Sequence, residues 1–113
     1  TGKASYKDLI KSNYIGLSTV IYNKRIHSKI RFPNLKTQED FALWLKLLKK
    51  GIILRSISQT LSCWRKTKNS LSSNVFQKLT DAFKLFYDYE NKNFILSIFN
   101  VIVLTYNKII KNL

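Results

Sequence analysis

The segment KTQEDFALWLKLLKKG, residues 36–51, leaves the chain the least freedom. Phe41, Trp44, Leu45 and Leu48 fall at i, i+3, i+4 and i+7, and Leu43 and Leu47 widen the stripe, so the segment is predicted to be a helix with one apolar face. Thr37 is a good N-cap, and Gly51 is a good stop because glycine enters the left-handed conformation without a Cβ clash. Two acids, Glu39 and Asp40, open the helix in a chain that has only six acidic residues and a formal charge of +14. Carboxylates in a first turn gain about 0.3–1 kcal/mol each from the helix dipole. Thr37 with Asp40 three residues on also resembles a capping box, with Asp in place of Glu. On spacing alone, capping accounts for the pair.

The 113 residues are 45% hydrophobic and 13% aromatic, enough for a core in one domain or a piece of one. The chain has no Met and begins Thr-Gly-Lys, so it is expected to be an interior piece of a longer protein. One cysteine, Cys63, excludes an internal disulfide and supplies no metal framework; it is expected to be a small buried hydrophobe. Sixteen of the twenty basic residues are Lys, spread along the chain, whereas base readout and bidentate phosphate contacts favour Arg. A nucleic-acid partner is therefore disfavoured, and attraction to an anionic membrane needs an apolar element beside the charge. FILSIFNVIVLTY, Phe94 to Tyr106, is such an element, with Lys92 before it and Lys108 and Lys111 after it. Thirteen residues fall short of the roughly 20 needed to span a bilayer as a helix. Two readings stay open: a helix buried against its neighbours, or an interfacial helix whose lysines reach for headgroups. No signal peptide or transmembrane segment is predicted within these residues.

The remaining elements follow in order. Ser5 can cap a short helix through Lys11, and GLSTVIYN, Gly16 to Asn23, has the content of a strand. ILRSISQTLSCWR, Ile53 to Arg65, reads as one bent strand or two short ones before the polar loop KTKNSLSS. Asn74, with Gln77 three residues later, starts a helix through Tyr89, and a last helix covers about Phe94 to Lys111. The order is mixed α and β, then all α, which predicts an α/β part over residues 1–73 and a helical extension over 74–113.

The chain contains no Gly-rich phosphate loop, no pair of histidines and no Ser/His/Asp set. His27, the only histidine, stands in a basic connector and is read as a surface residue. What remains is Glu39-Asp40 in its setting. Ile21-Tyr22-Asn23-Lys24-Arg25 ends the first strand, Glu39-Asp40-Phe41-Ala42-Leu43-Trp44-Leu45-Lys46-Leu47 forms the helix, and Gly51 closes it. Trp64-Arg65 and Ser70-Leu71-Ser72 follow. In this order and spacing, about Ile10 to Asn74 resembles the C-terminal half of bacterial family-2 glycosyltransferases.

The resemblance implies the C-terminal part of a GT-A, Rossmann-like domain that moves a sugar from a nucleotide donor to an acceptor. Asp40 then corresponds to the general base of an inverting displacement, and Glu39 to a neighbour that supports the loop or contacts the acceptor. Arg65 is a candidate for the donor diphosphate or for orienting the loop, with an ion pair to an acid as the plainer reading. Trp64 is a candidate acceptor or loop-support residue, whereas Trp44 reads as core. The resemblance further implies a divalent metal, Mg or Mn, in the full-length enzyme. Its Asp-x-Asp ligands and the nucleotide-binding half are not in this sequence, and no metal site is assigned here. Many relatives carry His two residues after the strand-end Arg, where this chain has Thr67. The implied setting is bacterial cell-surface glycan synthesis of the lipopolysaccharide or capsule type, on a glycan or lipid-linked acceptor. The implied location is the cytoplasm, at the periphery of the inner membrane. The fragment alone is expected to be inactive. The other reading is a basic helical binding or membrane-docking module without catalysis.

Overall fold

The computed structural model of the chain describes residues 2–23, 25, 29–63, 65 and 74–111. Four α-helices carry the architecture: α1 (Tyr6–Leu9), α2 (Glu39–Lys49), α3 (Val75–Lys84) and α4 (Phe94–Lys111). A 3-10 turn spans Leu17–Thr19, and a π-helical segment, Leu85–Tyr89, continues α3.

The apolar stripe on α2 is broader than one face, and the helix is correspondingly central. Phe41, Ala42, Leu43, Trp44, Leu45 and Leu47 are all buried, leaving Lys46 and Lys49 in solvent. Leu9 and Ile10 from the end of α1 and Leu85 and Phe86 from the π segment close the same cluster, with Val101 and Leu104 of α4 packed against it. Each fully buried Leu or Phe contributes about 1.5–3 kcal/mol. The core thus joins residues from both ends of the sequence.

The end of α2 is as expected. Gly51 takes φ +76°, its N–H donates to Leu48 O at 3.0 Å, and the Ile52 N–H donates to Leu47 O at 3.1 Å, a Schellman closure. A Cβ at Gly51 would meet open space, so the cost of adding one is backbone strain alone. Gly51→Ala is expected to lower stability by about 1–2 kcal/mol, read from a denaturant midpoint. No measurable change would mean that the turn relaxes.

The start of α2 differs from the prediction. The N-cap is Gln38, held at φ 65°, and no side chain caps the helix. Thr37 is turned away: its N–H and its Oγ1 hydroxyl donate to Asp81 Oδ2 on α3, at 2.7 and 2.8 Å. No capping box forms, because a buried carboxylate 44 residues downstream takes both Thr37 donors. Burial raises the Asp81 pKa, but the hydrogen bonds from Gln77 and Thr37 and the charge of Lys84 prevail, so its net shift is downward. The sign follows: Asp81 stabilises the fold above its unfolded pKa of about 3.9 and loses that contribution as pH falls through its lower folded value. Asp81→Ala is expected to cost about 1–3 kcal/mol at neutral pH, with the cost shrinking in acid; a pH-independent loss would argue against this linkage.

Helix α3 begins as predicted, with Asn74 Oδ1 accepting the Gln77 N–H at 3.0 Å. Its last part winds more loosely, the Glu90 N–H reaching back to Leu85 O at 2.9 Å. The chain then turns through Asn91, at φ 52°, into α4. Glu90 is buried at this corner, accepting a hydrogen bond from the Tyr6 hydroxyl and pairing with Lys49 Nζ at 2.6 Å. Burial and the Glu90 carboxylate both raise the Tyr6 pKa.

The two expected strands do not appear among the described residues. Gly16 to Asn23 forms the 3-10 turn and then extended chain, and Ile53 onwards contributes one antiparallel bridge, Lys3 to Arg55. A strand needs a paired neighbour, and the pairing seen here stops at Gly2–Ser56 and Ala4–Leu54. Cys63 is exposed rather than buried, because its segment has no partner layer over it among the described residues. His27, Trp64 and the Ser70-Leu71-Ser72 stretch lie outside the described residues.

Candidate active site

Asp40 sits in the first turn of α2, half-buried, directly after the left-handed Gln38. A non-glycine residue in that conformation is uncommon and stores strain of order 1 kcal/mol, and such outliers cluster at functional sites. The Phe41 N–H donates to Asp40 Oδ1 at 2.7 Å. Burial is the largest influence on this carboxyl and pushes its pKa above the ordinary 3.8, with the charge of Glu39 adding to the rise. The backbone hydrogen bonds from Phe41 and Leu17 oppose it without cancelling it. Leu17 thus brings the 3-10 turn, itself closed by Thr19 Oγ1 donating to Gly16 O at 2.7 Å, against the carboxylate.

Along the α2 face that follows Asp40 runs a small, open apolar groove of about 50 Å³. Leu43, Trp44 and Leu47 form its floor, at i+3, i+4 and i+7 from Asp40 on the same helix face, and Leu17 forms part of the wall. Tyr22 and Phe32 line it with roughly half of each side chain in solvent. The buried Trp44 indole N–H has no hydrogen-bond partner among the described residues. The arrangement is a carboxyl of elevated pKa one helical turn before the floor of an apolar trough with aromatic rims. It can accept a proton from a group held in that trough.

Of the predicted site residues, Glu39 and Asp40 are together. Trp44 is core, as read from its spacing, yet it also lines the groove. Arg65 is exposed and pairs with no acid among the described residues, and Trp64 falls outside them. Sequence reasoning missed Gln38, Leu17 and the aromatic rim. Only the aromatic content of residues 14–32 hinted at the rim.

Several curated proteins match the chain. TuaG of Bacillus subtilis, a glycosyltransferase named for teichuronic acid biosynthesis, is 32% identical over 90 residues, 80% of this chain and 36% of TuaG. An uncharacterized glycosyltransferase of Haemophilus influenzae is 35% identical over 111 residues, 96% of this chain and 44% of that protein. The chain is homologous to part of the bacterial glycosyltransferases. A third relative, Escherichia coli WfaP, is 36% identical over 75 residues, 66% of the chain and 30% of WfaP. WfaP is named a UDP-Glc:alpha-D-GlcNAc-diphosphoundecaprenol beta-1,3-glucosyltransferase. The chain spans less than half the length of these relatives. No protein-family profile and no solved structure matches it significantly.

Proposed function

We propose that the chain is the acceptor-side portion of a GT-A type glycosyltransferase that transfers a sugar with inversion from a nucleotide donor to a cell-surface glycan acceptor. The observation that carries the reading is Asp40, half-buried with a raised pKa in the first turn of the helix that floors the aromatic-rimmed groove. The acceptor lies in the groove with its sugar against Tyr22 and Phe32, and its hydroxyl donates to Asp40. As that oxygen bonds the anomeric carbon of the donor, its proton passes to Asp40 and the nucleoside diphosphate leaves with the electron pair of the broken bond. A base with a pKa above the ordinary carboxylate range is a better match to neutral operation than an exposed Asp. Glu39 keeps that pKa high and supports the turn, and Arg65 reaches toward the donor diphosphate.

WfaP and a second E. coli relative, WfgD, are both named for a UDP-Glc donor and a diphosphoundecaprenol-linked acceptor. A UDP-sugar donor and a lipid-linked acceptor at the cytoplasmic membrane face are the partners proposed here. Among the described residues no group of three or more His, Cys, Asp or Glu stands together. The family resemblance implies a divalent ion, Mg or Mn, which is proposed to lie with the nucleotide-binding half, and the segment alone is expected to be inactive.

The test is the pH dependence of kcat/KM for the acceptor, measured on the enzyme that contains this segment. Activity is expected to rise with pH through a midpoint above 3.8. Glu39→Gln removes the neighbouring negative charge and is expected to move that midpoint down. A limb that ignores Glu39→Gln would show that another group titrates.

A further inference from the structure

Helix α4 is mounted with its apolar stripe facing outward. Ile95, Phe99, Ile102, Tyr106 and Ile109 recur at helical spacing, and each is more than half exposed. The inward side is the more polar one. Ser97 is fully buried, with its hydroxyl on Asn93 O at 2.9 Å. The Asn107 amide donates to Lys11 O and Lys111 Nζ to Ser12 Oγ, both at 2.8 Å. Val101 and Leu104 supply the apolar contact to the core. The start of α3 extends the outward patch with Val75, Phe76 and Leu79, Phe76 being 80% exposed. Such a patch on two adjacent helices marks an interaction surface.

Its rim is cationic. Lys78 on α3, next to Leu79, and Lys108 on α4, next to Ile109, stand beside the apolar residues. Burial and then the Lys108 charge lower the Lys78 pKa, as expected for crowded cations. Lys84 and Lys92 flank the α3–α4 corner, and α4 contains no acid. The acids of this region are Asp81 and Glu90, both buried against partners, and Asp88. By length and composition alone α4 could cross a membrane, a property the run to Tyr106 did not suggest. Its far end lies along the protein, with Asn107 and Lys111 bonded to Lys11 and Ser12.

We infer that the outer face of α3 and α4 docks on an anionic bilayer, with Phe76, Phe99 and Ile102 entering the acyl boundary and Lys78 and Lys108 meeting the anionic headgroups. Lipid is the occupant favoured by the combination of an unbroken apolar stripe with lysines at its edge, since the charge complements an anionic surface. A second copy of this chain would bring like charges together. The inference is independent of the sugar-transfer reading, because its readout is binding and not turnover.

Cosedimentation with vesicles tests it, using phosphatidylglycerol mixed into phosphatidylcholine against phosphatidylcholine alone. The chain, and the longer enzyme that contains it, are expected to bind the anionic vesicles at least tenfold more tightly. Phe99→Ser with Ile102→Ser, at exposed positions, is expected to weaken binding by about tenfold or more with helix content unchanged by circular dichroism. Lys78→Gln and Lys108→Gln are each expected to cost about fivefold. Equal binding to both vesicles would overturn the anionic bilayer as the occupant. No binding to either would overturn the docking face. Binding by the chain but not by the longer enzyme would overturn it too, showing that the remaining polypeptide covers the face. So would a dimer dissolved by Phe99→Ser, which would make a second copy the occupant.

Discussion

Asp40→Asn in the enzyme that contains this chain is expected to lower kcat by about 10²–10⁴-fold, the range that a positioned general base contributes. Donor binding should survive, because the nucleotide-binding half is proposed to lie outside this chain. Stability separates this from a structural defect. The Asp40 pKa is raised in the folded chain, so folding binds its proton more tightly than the unfolded state does. Its ionised form therefore destabilises the fold at any pH above the folded value, and stability falls as pH rises from the unfolded pKa to the folded one. The asparagine variant removes that charge and keeps an Oδ1 that can accept the Phe41 N–H. It should be as stable as the parent at neutral pH, or slightly more so. Lost turnover with a lost fold, or lost donor binding, would argue against Asp40 as the base.

The second large effect is on folding. Phe41 has no exposed surface and follows Asp40 directly, so it anchors the first turn in the core. Phe41→Ala is expected to cost about 3–5 kcal/mol through lost transfer energy and a residual cavity. That is a large share of the roughly 5–15 kcal/mol that a domain has in total. A denaturant series should show a lower midpoint at nearly unchanged slope. A loss below about 1.5 kcal/mol would mean that the neighbours collapse into the space. Because Asp40 depends on this anchor, the variant should also lose the elevated pKa.

Much of the helical framework was legible because its signals are local. The period of Phe41, Trp44 and Leu45, the Gly51 stop and the Asn74–Gln77 cap each lie within a few residues, and each forms. The exchange of Thr37 for Gln38 was not legible, since the competing acceptor, Asp81, is distant in sequence. Periodicity revealed a stripe on α4 but not which way it faces. That depends on the Asn107 and Lys111 contacts with Lys11 and Ser12, nearly the length of the chain away. The residues near Ile21 and Ile53 have strand propensity, yet propensity acts only through pairing. For the site, Asp40 stood out through its setting, whereas its groove is assembled from the segment around Tyr22 and Phe32, whose approach no spacing rule encodes.

The core's reach across the sequence has a consequence for synthesis. Helix α2 is buried partly by Leu85 and Phe86, which leave the ribosome about 45 residues after Phe41. At roughly 5–20 residues per second, the nascent chain carries Asp40 on an apolar helix without its cover for about 2–9 s. During that interval Trp44, Leu45 and Leu47 are open to any hydrophobic surface they meet. The helix that bears the proposed base thus stays partly uncovered until Leu85 and Phe86 have been made.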